Sequence, residues 1–150
     1  MLNFSKSAFT MIELVFVIVV LGILAAVAIP KFAVTRDDAM IVKGKSQVSA
    51  IRSGIALQKS KNMLEGAVPF IPIALDNTIG RLFNYNDGNT SNILEYPIFS
   101  EANKDGGWIK TPTENTYEFR VMNIPHTFFY DKNTGIFNCT AGTYCNELTR

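Results

Sequence analysis

Between Phe9 and Ile29 the chain places 18 apolar side chains in 21 positions, broken only by Thr10, Glu13 and Gly22. As a helix rising 1.5 Å per residue, this run is about 31 Å long, matching a bilayer hydrocarbon core of about 30 Å. Three readings compete for it. A buried core helix is seldom apolar all round over such a length. A secretory signal peptide is consistent with Lys6 in a short basic region and with the small residues Ala26-Val27-Ala28 as a cleavage site. The third reading is a retained membrane helix. Glu13 weighs between the last two, because a carboxylate inside an apolar span costs about 2.5–3.5 kcal/mol at the bilayer centre and less toward an end. A signal peptide gains nothing by carrying that cost. A retained helix can offset it by pairing Glu13 with a cation. An amine created by a cut before Phe9 would stand four residues away, one helical turn. An amine on a neighbouring copy would serve equally.

The residues Phe9-Thr10-Met11-Ile12-Glu13-Leu14, followed by the apolar run and Pro30, resemble the N-terminus of type IV pilins and type II secretion pseudopilins. The short leader Met1–Ala8, with its single Lys6, is similar to theirs. The resemblance implies that a prepilin peptidase cuts between Ala8 and Phe9 on the cytoplasmic side and methylates the new Phe9 amine. It implies that Glu13 then pairs with the Phe9 amine of an adjacent subunit as a filament grows from the inner membrane. Two residues depart from the family pattern. Ala8 stands where Gly is usual before the cut, and Met11 replaces Leu, a volume-conserving swap. Charge alone does not orient the span: Lys6 and the amino terminus precede it, while Lys31 and Arg36 follow. The family orientation puts residues 1–8 in the cytoplasm and the body outside. Gly22 and Pro30 both weaken helix, Pro30 by removing the bond to the Ala26 carbonyl. A simple kink explains them; the family implies local melting between them when the subunit leaves lipid for the fibre.

The rest of the chain is ordinary. Its 150 residues suit one domain, or one domain plus an appendage, and outside the run roughly 41% are apolar, slightly below the usual range for soluble domains. A net charge of +1 argues against a chain built to coat nucleic acid. One histidine and two cysteines exclude a zinc site with four Cys/His ligands. No nucleophile motif surrounds His126, and no phosphate loop or paired-carboxylate site is present, so the sequence gives no catalytic residue, cofactor or metal ligand.

From Lys31 to about Asn62 the pattern is amphipathic helix, with Ile41, Gly44, Val48, Ile51 and Ile55 on one face and Lys43, Lys45, Arg52 and Lys59 on others. This helix is expected to continue the span as one rod, interrupted only near Pro30, with its apolar face covered by later strands. Residues 31–61 carry seven basic and two acidic side chains, +5, and residues 62–150 carry six and ten, −4. A solvated helix face accounts for the basic excess; attraction between the rod of one copy and the head of another is the sharper alternative, screened over about 8–10 Å.

Pro69 and Pro72 keep the helix from resuming after Gly66. Short helices are expected around Ile79–Asn84 and Asn92–Phe99, with a loop-rich stretch at Asn84-Tyr85-Asn86-Asp87-Gly88-Asn89. Strands are expected at Trp108-Ile109-Lys110, at Thr116–Val121 with Tyr117, Phe119 and Val121 on one side, at His126–Tyr130, and at Gly135–Cys139 after a turn over Asp131–Gly135. Three to four antiparallel strands over one helix face give an α+β fold. Its long N-terminal helix has a membrane-spanning first half and an amphipathic second half packed on a small sheet. The expected organisation is a leader at 1–8, a transmembrane and polymerisation helix at 9–29, an amphipathic helix at 30–62, and a loop-and-sheet head at 63–150.

Cys139 and Cys145 lie six apart in a segment the resemblance places outside the cytoplasm, where a disulfide is compatible; many type IV pilins close their C-terminal region similarly. Free thiols, or a metal pair with His126, are the alternatives. His126, at a strand entry, reads as a surface or edge residue. Asp131-Lys132-Asn133 opens like a calcium loop, but Ile136 and Gly142 stand at its sixth and twelfth positions, so a turn is the better reading.

The resulting expectation is a pilin-like structural subunit, not an enzyme, for secretion, competence or a pilus. Its implied partners are copies of itself, other pilin-like subunits, prepilin peptidase, an inner-membrane assembly platform and membrane lipid. Its implied place is a single pass through the bacterial inner membrane with the head in the periplasm, and then a filament. The rival is a soluble periplasmic binding protein released after Ala28. A DNA-binding minor pilin using Lys43, Lys45 and Arg52 with Phe128 or Tyr130 is a second, which the acidic head disfavours.

Overall fold

The structure is a computed structural model that describes residues 9–85 and 92–150, with backbone alone for 30–35. The leader, Ala8 included, and Asn86-Asp87-Gly88-Asn89 lie outside the described residues. Helix α1 is Met11–Glu65, 55 residues, and is continuous through Gly22 and also through Pro30, near which the sequence predicts an interruption. The chain divides into two compact units, one ending at Arg36 and the other Asp37–Arg150.

In the first unit, Met11–Ile29 is exposed on every side and has a mean hydropathy of 3.0, long and apolar enough to cross a membrane.

The second unit is α+β. The helix ends in a Schellman motif: Gly66 takes φ +68°, its N–H donates to Met63 O, and Ala67 N–H donates to Asn62 O. Four antiparallel strands follow in spatial order β3-β4-β5-β6, where β3 is Trp108–Lys110, β4 Thr116–Val121, β5 Ile124–Asp131 and β6 Ile136–Ala141. Met122 and Asn123, both at positive φ, form the two-residue turn between β4 and β5, whose handedness matches the twist of the strands it joins. The two helices expected at 79–84 and 92–99 do not form. Instead β1 (Arg81–Leu82) pairs with β2 (Ile98–Phe99), because Leu82, Phe83 and Ile93 are drawn into the core and a short pair leaves those side chains free to enter it. A short helix α2, Cys145–Thr149, ends the fold.

The helix face of Gly44, Val48, Ile51 and Ile55 is buried as its spacing predicts, against Trp108, Tyr117, Phe119, Phe128 and Phe137. Gly44 allows this approach, since a Cβ there would lie 2.4 Å from the Phe119 ring and 2.6 Å from Leu148. Polar residues extend the buried face toward the helix end: Gln58 donates to Asn62 Oδ1 at 2.9 Å, and Asn62 donates to Phe70 O at 3.0 Å, tying the outgoing chain to the last turn.

Candidate assembly segment and the head that carries it

Thr10 and Glu13 form a reciprocal capping box at the start of α1. The Glu13 carboxylate accepts the Thr10 backbone N–H at 2.9 Å and the Thr10 hydroxyl at 2.8 Å, and Thr10 Oγ1 accepts the Glu13 N–H at 3.3 Å. Two donors that a helix N-terminus leaves without partners are thereby satisfied. Sequence reasoning gave Glu13 an amine as partner and missed Thr10, although Thr-x-x-Glu before an apolar run is the signature of such a box. Phe9, the expected first residue after a cut, is 81% exposed beside it. Gly22 has open space around it. The structure therefore brings Glu13 to Thr10.

In the second unit, Cys139 and Cys145 form a disulfide with Cα atoms 5.4 Å apart. It anchors α2, whose Leu148 is fully buried. His126 is not a surface residue. It is wholly buried, its Nε2 accepts the Tyr144 N–H at 3.1 Å, and its ring packs against Gly142, where a Cβ would stand 2.4 Å away. The strand entry lies inside because the disulfide loop folds over it, a placement that local sequence does not encode. Asp131 heads a turn and not a calcium loop: its carboxylate accepts the Asn133 N–H at 2.9 Å and the Thr134 hydroxyl at 2.8 Å. Those bonds, the Asn133 N–H foremost, hold its pKa below the usual carboxylate range. Among the described residues no group of three His, Cys, Asp or Glu side chains is placed to hold a metal.

The basic rod is less free than its sequence suggests. Arg52 donates from Nε to Phe137 O at 3.0 Å, from one terminal nitrogen to Thr149 O at 2.9 Å, and from the other to Asn138 Oδ1 at 3.1 Å. Lys43 donates to Gly106 O at 2.6 Å. Both are braces within the unit, and Phe128 and Tyr130 are buried, so four of the five side chains assigned to DNA contact are already used.

Residues 3–29 match the family described as the prokaryotic N-terminal methylation motif. The chain is similar to type II secretion system core protein G of Pseudomonas aeruginosa, 37% identical over 57 residues, which cover 38% of this chain and 40% of that protein. It is similar also to fimbrial proteins of Pseudomonas aeruginosa, 33% identical over 67 residues, 43% of this chain and 44% of theirs. The chain thus aligns with less than half the length of these curated relatives. No solved structure matches it significantly. The chain therefore carries the N-terminal methylation motif at residues 3–29 and is similar over part of its length to a type II secretion system core protein and to fimbrial proteins.

Proposed function

We propose that the chain is a structural subunit of a pilus, secretion or competence filament and carries out no catalysis. Residues 1–8 are a leader removed by prepilin peptidase between Ala8 and Phe9, and the Phe9 amine is methylated. Residues 9–29 anchor the subunit in the inner membrane with its head in the periplasm and later polymerise. Residues 30–62 form the helix of the head and residues 63–150 its loops and sheet. Partners are further copies, other pilin-like subunits, the peptidase, an inner-membrane assembly platform and lipid. Helix between Gly22 and Pro30 melts when the subunit leaves the bilayer. The observation that carries this reading is a single acidic side chain, Glu13, held one turn into an otherwise uncharged, fully exposed apolar helix. Thr10 caps this carboxylate at the helix start, and an amine of a neighbouring copy would offset its charge inside the membrane.

The intact mass of the chain from its native host tests the proposal. Residues 9–150 plus one methyl group is the expected species. A chain beginning at Ile29 would make it a released soluble protein, and one still beginning at Met1 would end the filament reading.

A further inference from the structure

We propose that His126 and the backbone N–H of Tyr144 form an acid-sensitive latch. It holds residues 140–144 over the entry of β5 at neutral pH and lets them go when the imidazole takes up a proton. The latch belongs to the head and does not depend on the filament reading. His126 is the one histidine of the chain and is fully buried, yet its cover is thin: Ala141, Gly142 and Thr143 are all exposed. Three contacts fasten that cover to the ring. Nε2 accepts the Tyr144 N–H at 3.1 Å. The Tyr144 ring lies against the imidazole with centroids 5.5 Å apart. Gly142, at φ +138°, comes so close that a Cβ would stand 2.4 Å from a ring carbon.

A ring nitrogen that accepts a hydrogen bond carries no proton, so the neutral ring holds its proton on Nδ1. That atom is buried and has no hydrogen-bond partner among the described residues. A second proton has only Nε2 to bind, where the new N–H would face the N–H of Tyr144. Two opposed donors then replace one bond, and a charge stands in a buried place. The surrounding elements offer it no counter-charge. The Tyr144 hydroxyl is engaged with Met122 Sδ at 3.3 Å. On β4 the residue opposite His126 is Phe119, so Glu118 and Arg120 lie on the other face of the sheet. Strand β6 contains no charged residue. On α2, Glu147 and Arg150 line a groove with Lys45 of α1, and Lys43 reaches Gly106 O. Asp105 accepts the Asn123 N–H, and Asp131 is held in its own turn at the far end of β5. Among the described residues no carboxylate bonds either ring nitrogen.

The closed cover therefore needs the neutral ring, whereas the open one leaves the imidazole in water, where it titrates near about pH 6.5. Closure is favoured above that value and lost as pH falls below it. The Cys139–Cys145 disulfide keeps the released residues beside their seat, so the latch resets when pH rises.

The full chain in detergent micelles, carrying nitrogen-15 in histidine alone, gives one pair of ring signals and so reports the latch directly. At about pH 7.5 the proton is expected on Nδ1 and not on Nε2. Toward about pH 5, hydrogen exchange at residues 140–144, corrected for its intrinsic pH dependence, is expected to speed up at least about tenfold, the lower end of what an unpartnered buried donor costs. Its midpoint is expected to coincide with that of the ring. His126→Gln supplies an acceptor that does not titrate and is expected to hold the change below about twofold. Should that variant fail to fold, the two titrations of the unmodified chain decide alone. A proton on Nε2 at neutral pH, a ring that charges while exchange stays unchanged, or a ring still neutral at about pH 5 would each overturn the latch. None of these outcomes touches the filament reading.

Discussion

Tyr117 and Asp76, 41 residues apart, meet inside the head: the Tyr117 hydroxyl donates to Asp76 Oδ2 at 2.6 Å. Lys110 closes the other carboxylate oxygen in an ion pair. Asp76 is buried and lies in the irregular stretch after Pro72, so one charge pins that loop to β3 and β4. Tyr130 adds a second pin by donating to Pro72 O at 2.6 Å. Burial first, then the Asp76 charge and hydrogen bond, push the Tyr117 pKa well above the usual tyrosine range, and burial does the same to Tyr130.

Asp76→Ala should therefore cost about 3 kcal/mol or more, the penalty for leaving a partly buried ammonium and a buried hydroxyl without their acceptor. Urea midpoints of the two proteins measure it. Tyr117→Phe should cost about 1 kcal/mol at neutral pH and also change the alkaline limb. A phenol whose pKa is raised by folding contributes stability that is complete below the unfolded tyrosine value of about 10 and lost as pH rises beyond it. The variant should lose less stability between pH 9 and 11 than the parent, with Tyr130 still contributing. Equal losses would show that the phenol–carboxylate contact does not govern that limb.

The disulfide has a separate and smaller role. Closing a loop of seven residues is worth about 2.4 kcal/mol on the chain-entropy account. Cys145→Ser should lower stability by roughly that amount. It should also free α2 for proteolysis, since what then holds it among the described residues is noncovalent: the Arg52 bond to Thr149, the burial of Leu148 and, at its N-cap, the Tyr144 N–H bond to His126. A full loss of folding would mean that the disulfide carries more than chain entropy.

Much of this head was legible from spacing. The helix face from Ile41 to Ile55 and the alternation of Tyr117, Phe119 and Val121 both encode which side is buried, because each is a local period read against water. What was not legible depends on contacts far apart in sequence. Nothing near His126 announces that Tyr144 and Gly142 will cover it. Nothing near Arg52 announces that it will bridge β6 and Thr149, because an exposed and a bracing arginine look alike in a helical pattern. Residues 79–99 differ for another reason: Leu82, Phe83 and Ile93 plug the core individually from short extended pieces, which no local period encodes. Thr10 is legible as well, because Thr-x-x-Glu ahead of an apolar run has the spacing of a capping box.

Two glycines of the same helix should respond oppositely to alanine. Gly44→Ala drives a Cβ to within 2.4 Å of the buried Phe119 ring and should destabilise the head by about 1–3 kcal/mol. Gly22→Ala meets no atom within 4 Å and should favour helix by up to about 1 kcal/mol. If the span must melt between Gly22 and Pro30 to enter a fibre, that gain works against assembly. Gly22→Ala should then insert normally and give fewer filaments, whereas unchanged filament yield would rule out melting at this point.

Glu13 gives the most direct test of the filament reading, and the capping box sharpens it. Glu13→Ala removes the charge cost of the span, so membrane insertion should be retained or improved, while filaments fall to background. Thr10→Val keeps the shape of residue 10 and the backbone donor to Glu13 but removes the hydroxyl, leaving the carboxylate one charge-assisted hydrogen bond short. Thr10→Ser keeps both bonds. If the carboxylate must exchange its own Thr10 for the amine of a neighbour, Thr10→Val should alter the rate at which subunits leave the membrane, and Thr10→Ser should behave as the parent. A pulse-chase of subunit from membrane to filament measures this. Identical rates for all three would mean that the cap only begins the helix, and normal filaments from Glu13→Ala would mean that the carboxylate is not what joins the copies.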